Sequence, residues 1–388
     1  MRIERISIKN YKVLRDTTIE HIGGMAVFLG RNGSGKTTLF DVFGFLKKCL
    51  NENISSALLS RGGYSEVHSR ESDGHIEFEF KYRPSPSSKL CTYLLIIGQD
   101  NNGRPYIVRE VLRYRRASQS GAPWNFIDFS NGVGEAITNE DTDLQNIQAA
   151  KRERFVLDSP DILAIKSLGQ MKKFPAAAAF RKFIEDWFVS DFQIDTARQV
   201  QDLSYNDQLT RKGDNLANVA KFMHDNHPER FISVLTKMRE RIPGVHSVEA
   251  KPTEDGRIVL RFSDEKFQDP FNARFVSDGT IKMFAYLMML ANPKPHSLLC
   301  IEEPENQLYP ELLPILAEEF RIYTESGGQV FISTHAPEFV NALRIDEVYA
   351  ISKKEGYSQI YSASDKPLVK SLYDAGDQLG QLWIQNIL

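Results

Sequence analysis

The 388-residue sequence is short of several things that would settle its class at once. It has only three cysteines, Cys49, Cys91 and Cys300, an odd number without paired metal-ligand spacing. A disulfide framework and a zinc site are therefore disfavoured, and a reducing compartment is favoured. No apolar run approaches the roughly 18 residues a membrane span needs. The best candidate, Phe284 to Ala291, has eight residues and suits a buried helix. The N-terminus, MRIERISIKNYK, alternates apolar and polar residues where a signal peptide carries an apolar block. These features lead us to expect a cytoplasmic protein with no membrane partner. Neither sign of charge dominates: 48 basic and 51 acidic residues leave −3, so the global field of a protein held on nucleic acid by charge alone is missing, although a local basic patch stays open. Repeats, low-complexity tracts and sustained heptads are missing too. What remains is 41% hydrophobic and 26% charged, which excludes wholesale disorder. The length suits one large domain with an insertion, or two domains.

Ile3, Ile6 and Ile8 mark a short half-alternating strand, and Met25 to Leu29 a compact apolar one. Residues 38–50 follow a helical period, with Leu39, Val42, Phe43, Leu46 and Leu50 on one side. From His75 to about Arg116 the pattern turns to strands: HIEFEF, CTYLLIIG and YIVREVLRY, with DNNG at 100–103 as a turn. Residues 119–150 are polar and rich in Gly, Asn and Asp, the composition of a loop or mobile insertion. Residues 160–240 read mainly as helices, and a strand pair brackets the EDG turn at 254–256. Helix and strand then alternate over 280–291, 298–302, 310–325, 329–333, 336–343 and 347–351, which predicts a parallel sheet with packed helices. The fold class is α/β. The expected division is 1–75 as the N-terminal part of a head, 76–270 as a mixed insertion (an antiparallel β subdomain, then a helical lobe), and 271–388 as the rest of the head.

Four segments carry chemistry. GRNGSGKT, Gly30 to Thr37, fits G-x-x-x-x-G-K-[ST] between an apolar strand and an amphipathic helix, the context such a phosphate loop needs. Its glycines let backbone N–H groups turn inward around a phosphate, and the helix adds the positive end of its dipole. The binding candidates are Asn32, Gly33, Ser34, Gly35, Lys36, Thr37 and Thr38, with Lys36 reaching the β- and γ-phosphates of ATP and the Thr37 hydroxyl ligating Mg²⁺. LLCIEEPENQLYP, 298–310, is a buried strand delivering Glu302 and Glu303 to its C-terminal edge, where ligands bind in open α/β sheets. One acid can hold Mg²⁺ while the other deprotonates an attacking water; a solvated acidic turn is the plain alternative. FISTHAPEF, 331–339, places His335 at another strand end, within reach of a γ-phosphate or in a structural role. FVSDGTIKMFAYLMML, 275–290, sets Ser277 and Gly279 before an apolar helix, as an anion site or an ordinary N-cap.

In this order the four segments resemble the ABC-type ATPase heads of the RecF, SMC and OLD-like group, and EEPEN and STHAPEF point to its OLD/RecF-like side. The chain resembles in particular stand-alone bacterial ATPases of the AAA or OLD-like, predicted-ATPase class. Matching elements extend from NYKVL at 10–14 through RGG at 61–63 and GDNLANVA at 213–220 to LGQLW at 379–383. The resemblance implies a P-loop NTPase head with a mixed sheet, an antiparallel β subdomain and a helical insertion. It also implies residue roles. Lys36 and Thr37 belong to Walker A, Ser277 and Gly279 to a signature loop acting in trans, Glu302 to Walker B as metal ligand beside Thr37, Glu303 to the base and His335 to the switch histidine. Asn306 falls in the loop that meets the partner subunit. Glu stands at 302 where the family has Asp, which leaves direct and water-mediated Mg²⁺ contact both open. VSDGT departs from LSGGQ, though the Ser and the second Gly survive; the motifs do not place the Q-loop glutamine, for which Gln170, in SLGQ, is one candidate.

The resemblance further implies an ATP- and Mg²⁺-dependent homodimer or higher homo-oligomer, closed head to tail. Lys36 and Ser277 lie 241 positions apart without heptads between them, which excludes long SMC-type arms. Only 53 residues follow His335, too few for the Toprim nuclease of OLD proteins, so a nuclease activity would need a separate effector protein. The expected function is an ATP-hydrolysing switch coupling dimer state to DNA or an effector, in DNA repair or phage defence. Arg109, Arg113, Arg115 and Arg116, with Tyr114 among them, are candidate DNA contacts, with a solvated strand face as the alternative. A nucleotide-gated scaffold that sequesters a partner or toxin with little turnover is the second expectation. A transporter subunit fits poorly with the spacing and the signature.

Overall fold

The computed structural model describes residues 1–115, 122–140, 150–267 and 269–388. It divides into two compact units, the first of Met1–Trp187 with Asp346–Lys370, the second of Phe188–Ile345 with Ser371–Leu388. In chain order the first unit holds β1 (Arg2–Tyr11), β2 (Leu14–Ile19), β3 (Met25–Gly30), α1 (Lys36–Asn51), α2 (Ile54–Leu59), α3 (Tyr64–Val67), β4 (Ile76–Arg83), β5 (Cys91–Gln99), β6 (Pro105–Tyr114), β7 (Trp124–Ser130), β8 (Val133–Ile137), β9 (Arg152–Val156), α4 (Ala164–Leu168) and α5 (Pro175–Glu185).

Eight of these strands form one antiparallel sheet in the order β2-β1-β4-β5-β6-β7-β8-β9. Period-two patterning makes it one: in β4, Ile76, Phe78, Phe80 and Tyr82 are buried while the residues between them are not. The N-terminal strand joins this sheet, with Ile6 opposite Phe80 and Ile8 opposite Phe78. Helix α1 buries the expected Leu39, Val42, Phe43, Leu46 and Leu50, and also Phe40, Phe45 and Cys49. It is covered on more than one side: Phe45 and Phe43 meet Phe78 and Phe80 of β4, with ring centroids 5.7 and 6.2 Å apart, and Phe40 meets Phe28 of β3 at 6.0 Å.

Within residues 119–150, expected as a loop or mobile insertion, the described part 122–140 holds two strands. Strands β7 and β8 form a hairpin, Ser130 opposite Val133, around Asn131 and Gly132 at φ 48 and 75. A two-residue turn with both φ positive is what an Asn-Gly pair favours, and polar composition masked that signal. Residues 119–121 and 141–149 of the segment lie outside the described residues, as does Arg116.

Strand β10 (Trp187–Ser190) leads into the second unit, which continues with α6 (Ile194–Ala197), β11 (Gln201–Asp202), α7 (Leu216–Asn226), α8 (Pro228–Arg241), β12 (Ser247–Pro252), β13 (Arg257–Ser263), β14 (Phe271–Asn272), α9 (Asp278–Leu290), β15 (Leu298–Glu302), α10 (Leu312–Glu325), β16 (Gln329–Thr334) and α11 (Pro337–Asn341). The hairpin β12–β13 is flanked by β11 and β14. Strands β15 and β16 are parallel, in register from Leu298 with Gln329 to Glu302 with Ser333. Both are apolar runs because both faces are covered. The chain then returns to the first unit with β17 (Val348–Lys354), parallel to β3, and β18 (Tyr357–Ser362), antiparallel to β17. It ends with α12 (Pro367–Asp374) and α13 (Leu379–Ile384). Among the described residues no helix is long and apolar enough to cross a membrane.

Candidate functional site

In the first unit, β3 buries all six of its residues and releases the chain into the glycine loop. Gly33 and Gly35 take φ 79 and 110, which side-chain-bearing residues adopt at a cost. A β-carbon on Gly35 would also come within 2.2 Å of Ser358 Oγ. That hydroxyl donates to the Ser34 carbonyl at 2.6 Å, and the Ser358 N–H donates to the Val13 carbonyl at 2.8 Å, so β18 pins the loop from behind. Helix α1 starts at Lys36 with Gly35 as N-cap and no side chain capping it. Ser34 Oγ is buried without a hydrogen-bond partner. Lys36 is buried, and its Nζ donates to the carbonyls of Gly30 at 2.6 Å and Arg31 at 3.4 Å. Asn32 and Thr37 are exposed. An uncapped helix start, an unpartnered hydroxyl and a cation at the loop's centre fit the phosphates of a nucleotide.

One turn into α1, Asp41 accepts from Tyr11 Oη at 2.8 Å, Lys12 Nζ at 2.6 Å, and Arg61 Nη2 and Nε at 2.6 and 2.9 Å. Burial raises this carboxyl, but the bonds from Arg61, Lys12 and Tyr11 outweigh it and hold it below its ordinary value. NYKVL and RGG, remote in sequence, thus meet at one acid that fixes the helix behind the loop.

In the second unit, Glu302 ends β15 and Glu303 follows with φ 45, a left-handed conformation uncommon for glutamate. The Glu303 N–H donates to the Ser333 carbonyl at 2.8 Å, and Asn306 N–H donates to the Glu303 carbonyl at 3.1 Å. Asn306 Nδ2 donates to Glu303 Oε2 at 3.0 Å. His335 Nδ1 lies 3.4 Å from both Glu303 Oε1 and Glu305 Oε1. Glu303 and His335, assigned separately from sequence, therefore meet. The structure adds residues that sequence reasoning passed over. Buried Glu305 accepts from Thr334 Oγ1 at 2.7 Å and from the His335 N–H at 3.0 Å. Buried Lys282 donates to the Asn306 carbonyl at 2.7 Å. Burial pulls its ammonium down to about 8 against the raising effect of Glu305 and Glu303. Their signals were the fourth residue of EEPE and the single cation in an apolar helix.

Ser277 is the N-cap of α9: its Oγ accepts from the Thr280 N–H at 3.3 Å and lies 2.8 Å from Thr280 Oγ1. A β-carbon on Gly279 would sit 2.8 Å from the Gln307 carbonyl oxygen, so only glycine lets the loop after Glu303 pass this close. Asp278 pairs with Arg198 and accepts from Gln307 Nε2 at 3.2 Å. A cleft of about 800 Å³ runs beside Ser277 and Gly279, walled by Arg241, Ile242, Gln307 and Tyr309. Gln170 is exposed in the turn after α4, in the same unit as the glycine loop. On β6, Arg109 makes a two-pronged pair with Asp128 at 3.0 and 3.1 Å, Arg113 reaches Glu79 at 3.4 Å, and Tyr114 stacks on Phe126. Arg115 is exposed.

This fold, with a glycine loop in one unit and acids and a histidine at parallel strand ends in the other, defines an ABC/SMC-like AAA ATPase head. The chain belongs to the AAA-domain family: one family model, described as "AAA domain, putative AbiEii toxin, Type IV TA system", matches residues 137–341, and a second, "AAA domain", matches residues 5–212. It is thus a nucleotide-binding ATPase in the general sense. Among solved structures it is similar to an SMC head bound to the C-winged helix domain of ScpA, at 14% identity and TM-score 0.56, over 96% of this chain and 100% of that one. It is also similar to an Smc head with an extended coiled coil bound to the C-terminal domain of ScpA, derived from Pyrococcus furiosus, at 12% identity and TM-score 0.54, over 97% and 100%. At these identities the likeness is one of fold. No curated protein matches the chain by sequence.

Proposed function

We propose that the chain is an ATP-hydrolysing switch that closes head to tail with a second copy and passes that state to a separate effector protein or to DNA, in DNA repair or phage defence. The observation that carries this reading is Glu303, whose strained backbone and carboxylate are held by Ser333, Asn306 and His335 at the end of β15. A solvated acidic turn would need none of these bonds.

In this reading, Asn32 to Thr38 would offer backbone N–H groups and Lys36 an ammonium to the phosphates, and Thr37 and Glu302 would hold Mg²⁺. Bound Mg·ATP supplies the scissile phosphoanhydride and its charge neutralisation. Glu303 accepts a proton from the attacking water, and His335, oriented through its backbone by Glu305, offers its ring to the γ-phosphate. Ser277 and Gly279 complete the site of the other copy. Residues 1–75 and 271–388 carry these groups, and 76–270 form the insertion. The ScpA-bound Smc heads support a separate protein partner. A second reading, a nucleotide-gated scaffold that sequesters a toxin with little turnover, is favoured by the toxin–antitoxin wording of the family description.

The test is Glu303→Gln, which keeps the size and hydrogen-bonding reach of the side chain but cannot take the proton. Mg·ATP binding should stay as in wild type and phosphate release should fall about 10²–10⁴-fold. With hydrolysis stalled, the variant should elute as a dimer with Mg·ATP and as a smaller species without it. Glu302→Gln should lose Mg²⁺ affinity as well as rate. Wild-type turnover in Glu303→Gln would reassign the base, most directly to Glu302. Slow turnover without an ATP-dependent size change would spare the base and sink the shared-site dimer. A wild-type protein that binds ATP without turnover would favour the scaffold.

A further inference from the structure

Lys282 lies on α9, five residues after Ser277, and only 5% of its surface meets solvent. An ammonium in such a place is costly unless it is satisfied by hydrogen bonds or opposite charge. Its Nζ donates to the Asn306 carbonyl at 2.7 Å, with Glu303 and Glu305 close enough to raise its basicity and the Tyr286 ring beneath it. Asn306 is the intermediary. Its N–H and its Nδ2 clasp the Glu303 carbonyl and carboxylate, while its own carbonyl is clasped by Lys282. A second seam, Gly279 against the Gln307 carbonyl and Gln307 Nε2 on Asp278, ties the next residue of the loop to the first turn of the same helix. Glu303 at φ 45 and Gln307 at φ 66 are conformations that persist only where the surroundings over-determine them.

We propose that Lys282 is a positioning residue for hydrolysis: through Asn306 it fixes the Glu303 carboxylate from the helix whose N-cap is Ser277, so that the groups facing a nucleotide at Ser277 and the group activating water move as one piece. This rests on the reading of Glu303 as base. It adds that the base is set by the signature helix as well as by β16, whose contribution comes through Ser333 and, by way of Glu305, through Thr334 and His335.

The experiment compares wild type, Lys282→Met, Lys282→Arg, Glu303→Gln and the double variant Lys282→Met/Glu303→Gln. Lys282→Met removes the donor at similar length. It should leave KM for ATP within about twofold and lower kcat roughly 10- to 100-fold, the cost of a displaced catalytic group. Lys282→Arg, which restores a donor, should recover most of kcat. The double variant should be no slower than Glu303→Gln alone, because a positioning effect vanishes once the positioned group is gone.

If Glu303→Gln is impaired while Lys282→Met keeps wild-type kcat, or if the two losses multiply in the double variant, this inference falls and the base assignment stands. If Glu303→Gln turns over normally, the base assignment falls and the inference goes with it. Should Lys282→Met fail to fold, pH decides between wild type and Lys282→Arg. The groups facing the ammonium are Glu303, Glu305 and, through them, His335, with the Tyr286 ring beneath it, whose phenol is kept protonated well above this range by burial. Wild-type kcat should fall above about pH 8 as Lys282 loses its proton, and Lys282→Arg should stay level there. The same alkaline fall in both proteins overturns the proposal.

Discussion

At the scale of single residues, the glycine loop and the turn that opens α9 make opposite demands on the same amino acid. Gly35 is required by its backbone and by the Ser358 hydroxyl behind it, whereas Gly279 has ordinary helical geometry and is required by its neighbour. Gly279→Ala would push a methyl group to 2.8 Å from a backbone oxygen that no rotamer change can move away. The expected cost is about 1–3 kcal/mol of stability, the range for overpacking, read from denaturant midpoints. An unchanged midpoint would mean that the loop after Glu303 yields freely. Lys36→Ala should behave differently. It leaves the fold intact but sets phosphate charge against backbone dipoles alone, so ATP affinity measured calorimetrically should fall far more than a few-fold. The difference between these residues also explains what could be read from the chain. GRNGSGKT is legible because its glycines and its lysine fall at fixed spacing in one run of consecutive residues, although Ser358, which backs Gly35, is remote in sequence. Lys282 and Glu305 are not, because their importance arises from the Asn306 carbonyl and from Thr334 and His335, positions that only folding brings near.

At the scale of elements, the short helix α4 shows a cap supplied from another element. Its own N-cap, Leu163, offers no side-chain acceptor. Glu110 on β6 accepts instead from the N–H groups of Ala164 at 2.5 Å and Ile165 at 3.1 Å, and from Tyr93 Oη at 3.0 Å. Strict alternation in YIVREVLRY would put Glu110 beside Val108 and Leu112, but a bulge at Val108 shifts the register, and Ile107, Glu110 and Leu112 are buried. The purpose of Glu110 was not legible in the sequence, because α4 lies more than fifty residues on. Complete burial pushes the Glu110 carboxyl up to about 7, against the lowering pull of those three donors. A raised acid binds its proton more tightly folded than unfolded. Its contribution to stability is therefore full below about pH 4.5 and is lost as the pH rises through about 7, amounting to roughly 3 kcal/mol in all. Glu110→Gln cannot titrate. Relative to wild type it should be less stable at pH 5, where the protonated carboxyl is at its best, and should close or reverse that gap by pH 8. Parallel slopes for the two proteins in chemical denaturation across that range would show that Glu110 does not titrate there.

At the scale of the whole molecule the question is what the proposed switch would address, and charge bears on it directly. The chain carries −3 overall, so attraction to DNA would have to come from a local patch. Two of the four arginines of the expected patch, Arg109 and Arg113, are engaged within the protein, and Arg115 is exposed. Arg109 is held in both prongs by Asp128, and Arg113 faces Glu79, which Arg5 also engages at 2.8 Å. A DNA phosphate could recruit these arginines only by displacing two carboxylates that would then face it, so little counterion release would be gained. We expect Arg109→Ala/Arg113→Ala to leave duplex affinity, and its dependence on salt between 50 and 200 mM, as in wild type. Fluorescence anisotropy over a salt series measures this directly. Two true phosphate contacts would each contribute about −0.9 to the log–log slope, so their loss would flatten it by nearly two units. A flattening of that size would return DNA to the β6 face. An unchanged slope clears Arg109 and Arg113, and the same salt series on Arg115→Ala tests the exposed arginine beside them; with both unchanged, the cleft beside Ser277 and Gly279 becomes the place to look, because a partner bound there would touch the same loop that holds Glu303.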